Sequence, residues 1–358
     1  MSKLPEKPKT VFVGMSGGVD SSVTAVLLKN AGYHVVGAYM KNWSKDLPGM
    51  KCPWAEDLAD AKRVATKLDI DFRIFDFETE YHAKVVDYMI EEFRKGNTPN
   101  PDVMCNQEIK FKLFYDIAMS QGADFIATGH YAVSEDGNLK LAADTNKDQT
   151  YFLYRISDEA ISRTLFPLGK MLKPEVKQLA AEFGLDNAYK KESMGVCFVG
   201  EVGIKDFLQE YIEVVPGQII DRDTGEVLGT HEGAVFYTIG QRHGLNLGGG
   251  LPYYVVGKDM SKNQVFVSKS LNHLNLWTKN LKLKDIIIRQ IHQATGDIQP
   301  NLSNLTCRVR HRAPLISCSF NAETSEVLLT EEIKHPAAGQ SVVFYAGDVC
   351  IGGGIIAE

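Results

Sequence analysis

The chain has 358 residues, of which 44% are hydrophobic and 23% charged, and its formal net charge is −6 at pH 7. This length predicts two or three domains, and the composition is typical of a globular protein. We find no apolar run near the roughly 20 residues of a membrane helix and no secretory signal, so we expect a cytoplasmic protein without a membrane partner. The negative balance excludes a uniformly basic surface, but a local basic face could still bind nucleic acid.

The first part of the chain alternates short apolar runs with segments of helical spacing. Strands are predicted at Thr10–Gly14, His34–Tyr39, Phe72–Phe77 and Asp124–Thr128. Helices are predicted after the first strand with a stop at Gly32, around Leu58–Leu68, at Glu80–Lys95 and at Asn106–Gln121. This alternation predicts an α/β domain over residues 1–205, with a Rossmann-like parallel sheet and ligands at the carboxyl ends of its strands.

The character of the sequence changes after about residue 205. Glycine-rich turns separate short β-branched runs such as Tyr253–Val256 and Gln264–Val267, which predicts a small central domain over residues 206–275. Alternating polarity such as that of Leu305–Arg312 predicts an antiparallel barrel or sandwich over residues 276–358. On a strand, Arg308, Arg310 and Arg312 would share one face, which suits phosphate contacts, although a solvated face is the plainer alternative.

Between the first strand and the first helix the sequence reads GMSGGVDSS, from Gly14 to Ser22. Glycines let the backbone approach an anion, the new helix directs free N–H groups at it, and serines add hydroxyl donors. The chain contains neither GxxxxGK(S/T) nor GxGxxG, which excludes a kinase-type P-loop and a dinucleotide fingerprint. The pattern SGGxDS resembles the pyrophosphate loop (PP-loop) of ATP pyrophosphatases, which cleave ATP between its α- and β-phosphates. The alternative is a turn that binds nothing.

Six cysteines, with neither CxxC nor zinc-ligand spacing, stand at positions 52, 105, 197, 307, 318 and 350. We expect the last three to lie in the core, because they belong to apolar strand patterns, and we assign no role to Cys52. Cys197 lies in KKESMGVCFVGE, where two lysines would favour a thiolate, although a cysteine in such a place is more often buried.

Cys105 lies in NTPNPDVMCN, residues 97–106, whose prolines and asparagines predict a rigid extended loop just before a helix. The helix N-terminus would lower the pKa of the Cys105 thiol, and Asp102 could act as a general acid or base. From these residues alone the alternative is equally open: Asp102 caps a turn and Cys105 packs.

Seven blocks then follow one another in order: GMSGGVDSS at 14–22, MKNW at 40–43, NPDVMCN at 100–106, TGHY at 128–131, KDQTYFL at 147–153, GVCFVGE at 195–201 and GQRHGL at 240–245. Together they resemble the bacterial-type tRNA-specific 2-thiouridylases over nearly the whole chain. The resemblance implies a PP-loop domain of the adenine nucleotide alpha hydrolase type, a small central domain and a tRNA-contacting C-terminal β-barrel. It implies that ATP and a cysteine-borne sulfur convert the wobble uridine of Lys, Glu and Gln tRNAs to 2-thiouridine.

Position by position, the resemblance implies roles for individual residues. The residues that would bind ATP are Gly14, Met15, Ser16, Gly17, Gly18, Val19, Asp20, Ser21, Met40 and Gly129. The residues that would contact tRNA are Asn100, Pro101 and Asp102 at the target base, and His130, Lys147, Asp148, Gln149, Arg310, His311 and Gln340 elsewhere. Cys105 would be the nucleophile and Cys197 the persulfide carrier, and the two would end as a transient disulfide.

The resemblance also implies partners and a metal. A cysteine desulfurase, directly or through relay proteins, would supply the sulfur. Mg²⁺ is expected with the ATP phosphates, but we assign it no protein ligands. The sequence departs from the family pattern at Met194 and His311.

Two other classes of protein stay open. One is another PP-loop ATP pyrophosphatase that amidates or ligates a small molecule, which would need the glycine loop but not the paired cysteines. The other is a tRNA-binding module with a vestigial nucleotide site, which the intact SGGVDSS disfavours.

Overall fold

The computed structural model describes residues 7–46, 52–190, 204–248, 252–270 and 277–357. Cys197, Met194 and the rest of their segment therefore lie outside the described residues, as does the predicted disulfide. In the described ranges, no helix combines the length and the apolarity that crossing a bilayer demands.

The N-terminal region is built on a five-stranded, fully parallel sheet in the order β3–β2–β1–β4–β7. Its strands are β1 Thr10–Gly14, β2 His34–Lys41, β3 Asp71–Asp76, β4 Phe125–Ala127 and β7 Thr164–Leu165. All four predicted strands and the α/β class are confirmed. The two central strands β1 and β4 are almost wholly apolar because both of their faces are covered.

Helices cover the sheet on both sides. In chain order they are α1 Val19–Asn30, α2 Trp54–Lys67, α3 Glu78–Tyr81, α4 Asp87–Arg94, α5 Pro101–Met104, α6 Phe114–Ser120, α7 Thr150–Leu153, α8 Asp158–Ser162, α9 Lys173–Glu182 and α10 Ile204–Gln209. Gly32 ends the first of them, as predicted, with φ +87°. Two π-helical segments, His82–Val86 and Cys105–Leu113, join α3 to α4 and α5 to α6.

One boundary prediction was wrong. Residues 97–106 do not form an extended loop throughout, because Pro101 begins a helix that continues through Cys105. Proline suits the first helical position, where its missing N–H would have no partner and its fixed φ is already helical. Cys105 therefore lies within a helix, one turn after its start, and not before it.

The central domain is a four-stranded sheet in the order β10–β11–β8–β9. Its strands are β8 Gly217–Asp221, β9 Val227–His231, β10 Tyr254–Asp259 and β11 Gln264–Ser268. Both β-branched runs predicted here are strands. Ile219, Val255, Val265 and Val267 form its small separate core.

The C-terminal strands form a closed barrel. They are β12 Trp277–Ile288, β13 Leu305–Arg308, β14 Ile316–Asn321, β15 Glu326–Lys334, β16 Ser341–Ala346 and β17 Val349–Ile356, and pairing of β12 with β17 completes the closure. The predicted β-barrel is confirmed, and Cys307, Cys318 and Cys350 are core residues. The predicted arginine face is wrong, because β13 ends at Arg308 and the chain turns at Arg310–Arg312.

The barrel is joined to the N-terminal region by a shared sheet. The hairpin of β5 Val133–Glu135 and β6 Asn138–Lys140 pairs with β17 and extends the barrel sheet across the predicted domain boundary. Buried polar contacts strengthen the joint: Arg308 Nη1 lies 2.7 Å from Asp148 Oδ1, and the hydroxyls of Thr150 and Tyr345 lie 3.0 Å apart. The two regions therefore share one interior.

Candidate functional site

The PP-loop segment lies where β1 ends and α1 begins, at the carboxyl edge of the sheet. Gly17 has φ +76°, and a side chain there would run into the backbone of Asp57. Ser21 Oγ accepts from the Ser16 amide at 3.2 Å and donates to the Gly18 carbonyl at 3.1 Å. Among the described residues no side chain caps the start of α1, so its first amides remain available to an anion.

Two more of the predicted ATP-binding residues lie against this loop. Gly129 follows β4, and a Cβ at that position would lie 2.7 Å from the amide nitrogen of Ser21 and 2.8 Å from the carbonyl carbon of Asp20. Met40 follows along β2, and its methyl group lies 2.9 Å from where a Cβ of Gly14 would be. The start of α1 can thus pack closely against the end of β4 only because position 129 has no side chain.

Lys173, which the sequence did not single out, neutralises the acidic residue of the loop. Its Nζ lies 2.7 and 2.8 Å from the two carboxylate oxygens of Asp20, and Tyr131 donates to the same carboxylate at 3.1 Å. Lys173 is only 6% exposed. Because the Asp20 charge is compensated in this way, the start of α1 stays attractive to a phosphate.

Asn187 is a second residue that the sequence did not reveal. Its Nδ2 lies 2.9 Å from both the Gly17 carbonyl and Ser22 Oγ, while its Oδ1 is buried without a hydrogen-bond partner in the described parts of the chain. It holds the Gly17 carbonyl and so fixes the turn of the loop at its positive-φ glycine. Lys173 and Asn187 are more than 150 residues from the loop in sequence, so no local pattern could have identified them.

Cys105 begins the π-helical segment, and its side chain is 3% exposed. A π-helix is rare and frequently lies at a functional site, because the wider turn changes which side chains face a pocket. Asp102 lies one turn earlier and is partly exposed. Burial raises the pKa of Asp102, and the charge of Lys110 partly offsets the rise.

His130 connects the PP-loop to the cysteine-bearing helix. It follows Gly129, its Nδ1 lies 2.7 Å from Thr128 Oγ1, and its ring centroid lies 5.6 Å from that of Phe111 on the π-helical segment. Burial, with a smaller effect of Lys110, holds the pKa of His130 well below the ordinary 6.5, so the ring is neutral near pH 7. The nucleotide loop and the Cys105 helix therefore meet at the carboxyl end of β4.

Residues 147–149 lie mostly against protein groups. Asp148 is 1% exposed, and its carboxylate accepts hydrogen bonds from Arg308, Thr150 and the Ala142 amide. Gln149 Oε1 accepts from the Tyr131 amide at 2.9 Å. In this structure these two side chains position the TGHY segment and the barrel, whereas Lys147 lies partly exposed at the surface.

The barrel contributes a basic group beside a neutral ring. The His311 ring centroid lies 4.5 Å from that of Phe152, which packs the turn after β13 onto α7. Burial and the charges of Arg312, Arg308 and Lys147 lower the pKa of His311 to about 4. Arg310 is exposed in the same turn, so cations surround an uncharged aromatic pair that a nucleobase could contact.

The parallel sheet with its glycine–serine loop defines a nucleotide-binding domain of the HUP class. The family model described as tRNA methyl transferase HUP domain matches residues 9–201. Models described as tRNA methyl transferase PRC-barrel domain and aminomethyltransferase beta-barrel domain match residues 205–269 and 283–356. These matches agree with the three structural regions seen here.

Relatives that match nearly the whole chain identify its family. The chain is 46% identical over 354 residues to the tRNA-specific 2-thiouridylase MnmA of Listeria welshimeri, covering 97% of this chain and 94% of that protein. It is 46% identical over 362 residues to the tRNA-specific 2-thiouridylase MnmA 1 of Geobacillus kaustophilus, covering 98% and 96%. The chain belongs to the tRNA-specific 2-thiouridylase family.

Solved structures give only a slight likeness. A 4-thiouridine synthetase–RNA complex with bound ATP is 17% identical, with a TM-score of 0.36, over 56% of this chain and 50% of that one. A similarity this low gives no information about the function of the site.

Proposed function

We propose that this chain is an ATP-dependent tRNA uridine 2-sulfurtransferase. It would convert the wobble uridine, position 34, of Lys, Glu and Gln tRNAs to 2-thiouridine and release AMP and pyrophosphate. The observation that carries the proposal is the junction at His130, where the anion-binding start of α1 and the helix of Cys105 meet at one sheet edge. Family membership supports the substrate class.

In the first step the C2 oxygen of the uridine would attack the α-phosphorus of ATP, and pyrophosphate would leave. The amides at the start of α1, with Ser16 and Ser21, would bind the pyrophosphate, and Gly129 would let the chain after β4 pack directly against them. Mg²⁺ would neutralise phosphate charge. The described residues contain no group of three or more His, Cys, Asp or Glu that could hold a metal ion, and we assign Mg²⁺ no protein ligands.

In the second step sulfur would replace the activated oxygen. The terminal sulfur of a Cys197 persulfide would attack C2 and displace AMP, and the Cys105 thiolate would then attack the Cys197 sulfur and release the thiocarbonyl. Alternatively, Cys105 would attack first and release sulfide, which would attack C2. Both orders leave a Cys105–Cys197 disulfide that a reductant must reopen. Asp102, with its raised pKa, would transfer protons.

The RNA would bind across the N-terminal region and the barrel. Lys147, Arg310 and Arg312 would contact phosphates, while Asn100, Pro101 and Asp102 would face the flipped uracil. His130, His311 and Gln340 would complete the contacts carried over from the family. A cytoplasmic cysteine desulfurase, directly or through relay proteins, would load Cys197.

The proposal is tested by mass spectrometry of tRNA nucleosides from cells that lack this chain. Loss of 2-thiouridine at the wobble position, restored by the wild-type gene but not by Cys105→Ser or Cys197→Ser, is the expected result. Unchanged 2-thiouridine would refute it. With purified protein, AMP formation should depend on tRNA, whereas AMP formation with a small molecule alone would indicate an amidating or ligating synthetase.

A further inference from the structure

A turn of the barrel holds the segment that precedes Pro101. We call residues 97–100 the base-facing loop and Ala338–Ser341 the barrel turn. The Thr98 amide donates to the Ala338 carbonyl at 2.8 Å, and Gln340 Nε2 donates to the Thr98 carbonyl at 2.7 Å. Both backbone groups of Thr98 are therefore bonded to the barrel, much as a neighbouring strand would bond them.

Close packing accompanies these hydrogen bonds. Gly339 has φ +89°, and a Cβ there would lie 3.1 Å from the Asn97 side chain and from two backbone atoms of Thr98. A larger residue would push the two segments apart at the point where they bond. The barrel turn is thus shaped for the base-facing loop as well as bonded to it.

A second connection reaches Asn100 through a buried tyrosine. Tyr151 is 1% exposed, and its hydroxyl donates to the Ser341 carbonyl at 3.0 Å. Burial raises the pKa of Tyr151, and a hydrogen bond with the Asn100 side chain is among the interactions that oppose the rise. Asn100, which would face the target base, is therefore tied to the first residue of β16 through one hydroxyl.

Helix α7, which carries Tyr151, also contacts Asn106, the residue after Cys105. Asn106 Nδ2 donates to the Phe152 carbonyl at 3.1 Å, and the Phe152 ring packs on His311 of the barrel. The base-facing loop and the Cys105 helix are consequently connected to the barrel through Tyr151 and Phe152, which are neighbours on α7.

We propose that the barrel turn is a positioning element for the sulfur-transfer site, and that Gln340 acts through Thr98 to hold Asn100 in place for the uracil. The proposal rests on the proposed function. It goes beyond the tRNA contact that the resemblance implies for Gln340, because the amide of Gln340 is used on the protein itself. Gln340 is a positioning residue in this sense, since a small displacement of groups around a reacting centre is costly.

The test is Gln340→Glu, which keeps the size of the side chain and removes the donor to Thr98. We expect the rate at saturating tRNA and ATP to fall about tenfold or more, in addition to any loss of tRNA affinity from the RNA contact of Gln340. Combined with Asn100→Ala, the loss should be less than the product of the single losses, because both act on one loop. Gln340→His, which can still donate through a ring nitrogen, should recover part of the rate.

Glu331→Gln is the matched control, because Glu331 is exposed on the same barrel and the change makes the opposite exchange of carboxylate and amide outside the barrel turn. It should leave both the saturated rate and the Kd for tRNA nearly unchanged. Hydrogen exchange of the amides at 97–100 in the tRNA-free protein gives a readout that does not need activity: Gln340→Glu should exchange faster there. Weaker tRNA binding at an unchanged saturated rate, or unchanged exchange in Gln340→Glu, would overturn the proposal. Absence of 2-thiouridine formation by the wild type would instead overturn the proposed function.

Discussion

The two ends of the site are built in different ways. The nucleotide end, around Gly14–Ser22, takes its supporting contacts from Gly129, Lys173 and Asn187, all of the N-terminal region. The base end, around residues 97–105, takes them from the barrel through Gln340 and Tyr151. Under the proposed function, the contacts to ATP would lie within one region, whereas the contacts to the uracil would depend on two. The difference separates the residues proposed to bind ATP from those proposed to bind tRNA, and it predicts which substitutions affect each end of the site.

The largest effect is expected at the joint that the base end depends on. Asp148→Ala leaves the buried Arg308 guanidinium without its carboxylate, which should lower the free energy of unfolding by about 3–5 kcal/mol. Chemical denaturation measures this. Glu91→Ala is the control, since its ion pair with Lys95 is exposed and contributes little. A loss equal to that of the control would mean that the barrel is held by its sheet pairing alone.

Gly129→Ala should impair the nucleotide end of the site and leave the base end intact. Its Cβ would lie 2.7 Å from the Ser21 amide nitrogen, and backbone cannot move aside cheaply. ATP affinity should fall about hundredfold, or roughly 2.7 kcal/mol, while tRNA affinity is kept. Calorimetry with ATP and filter binding with tRNA give the two numbers. Gly248→Ala, where a Cβ meets open space, is the control, and equal losses of both ligands in Gly129→Ala would contradict the separation.

Lys173→Met tests the charge balance of the nucleotide end. Without the Lys173 ammonium, the Asp20 carboxylate would repel phosphate, and the Kd for ATP should rise about tenfold, or roughly 1.4 kcal/mol. Adding Asp20→Asn should restore part of the affinity. Lys170→Met, an exposed neighbour, should have no effect on ATP binding. If Lys173→Met bound ATP as tightly as the wild type, the ion pair would be structural only.

The remaining effect is a pH dependence that involves the central domain. Lys258 donates to the Gly96 carbonyl at 2.7 Å, just before the base-facing loop, and burial lowers its pKa to about 8 from the ordinary 10.5. Between these values the folded protein binds fewer protons than the unfolded one, so stability rises with pH. Relative to Lys258→Met, the wild type should gain up to about 1 kcal/mol per pH unit in this window. Denaturation between pH 7 and 10 tests this, with the exposed Lys262→Met as control, and an unchanged difference would show that Lys258 is solvated.

The sequence correctly predicted the features that depend on residues adjacent in the chain. The strand, glycine loop and helix at 10–30 are neighbours in the chain, so periodicity and the SGGVDSS pattern place them correctly. At residues 308–312 the alternation of polarity gives a wrong prediction. The period-two pattern continues to Arg312, but the strand ends at Arg308, whose side chain is buried against Asp148, and the chain then bends.

Long-range contacts escaped prediction for a physical reason. Lys173, Asn187 and Tyr151 become site residues only through partners that the fold brings together, and nothing in their local sequence encodes those partners. The pairing of β6 with β17 is of the same kind, since strand register across 200 residues depends on the whole barrel. The roles of Cys105, Cys197 and the tRNA contacts stay predictions.

The shared sheet has a consequence for synthesis. During translation the nucleotide loop and its supports emerge first, and residues 7–190 could begin to fold while the barrel is still being made. The edge of β6 finds its partner only when β17 has left the ribosome. The joint between the N-terminal region and the barrel would thus be completed late in synthesis, when one C-terminal strand becomes available.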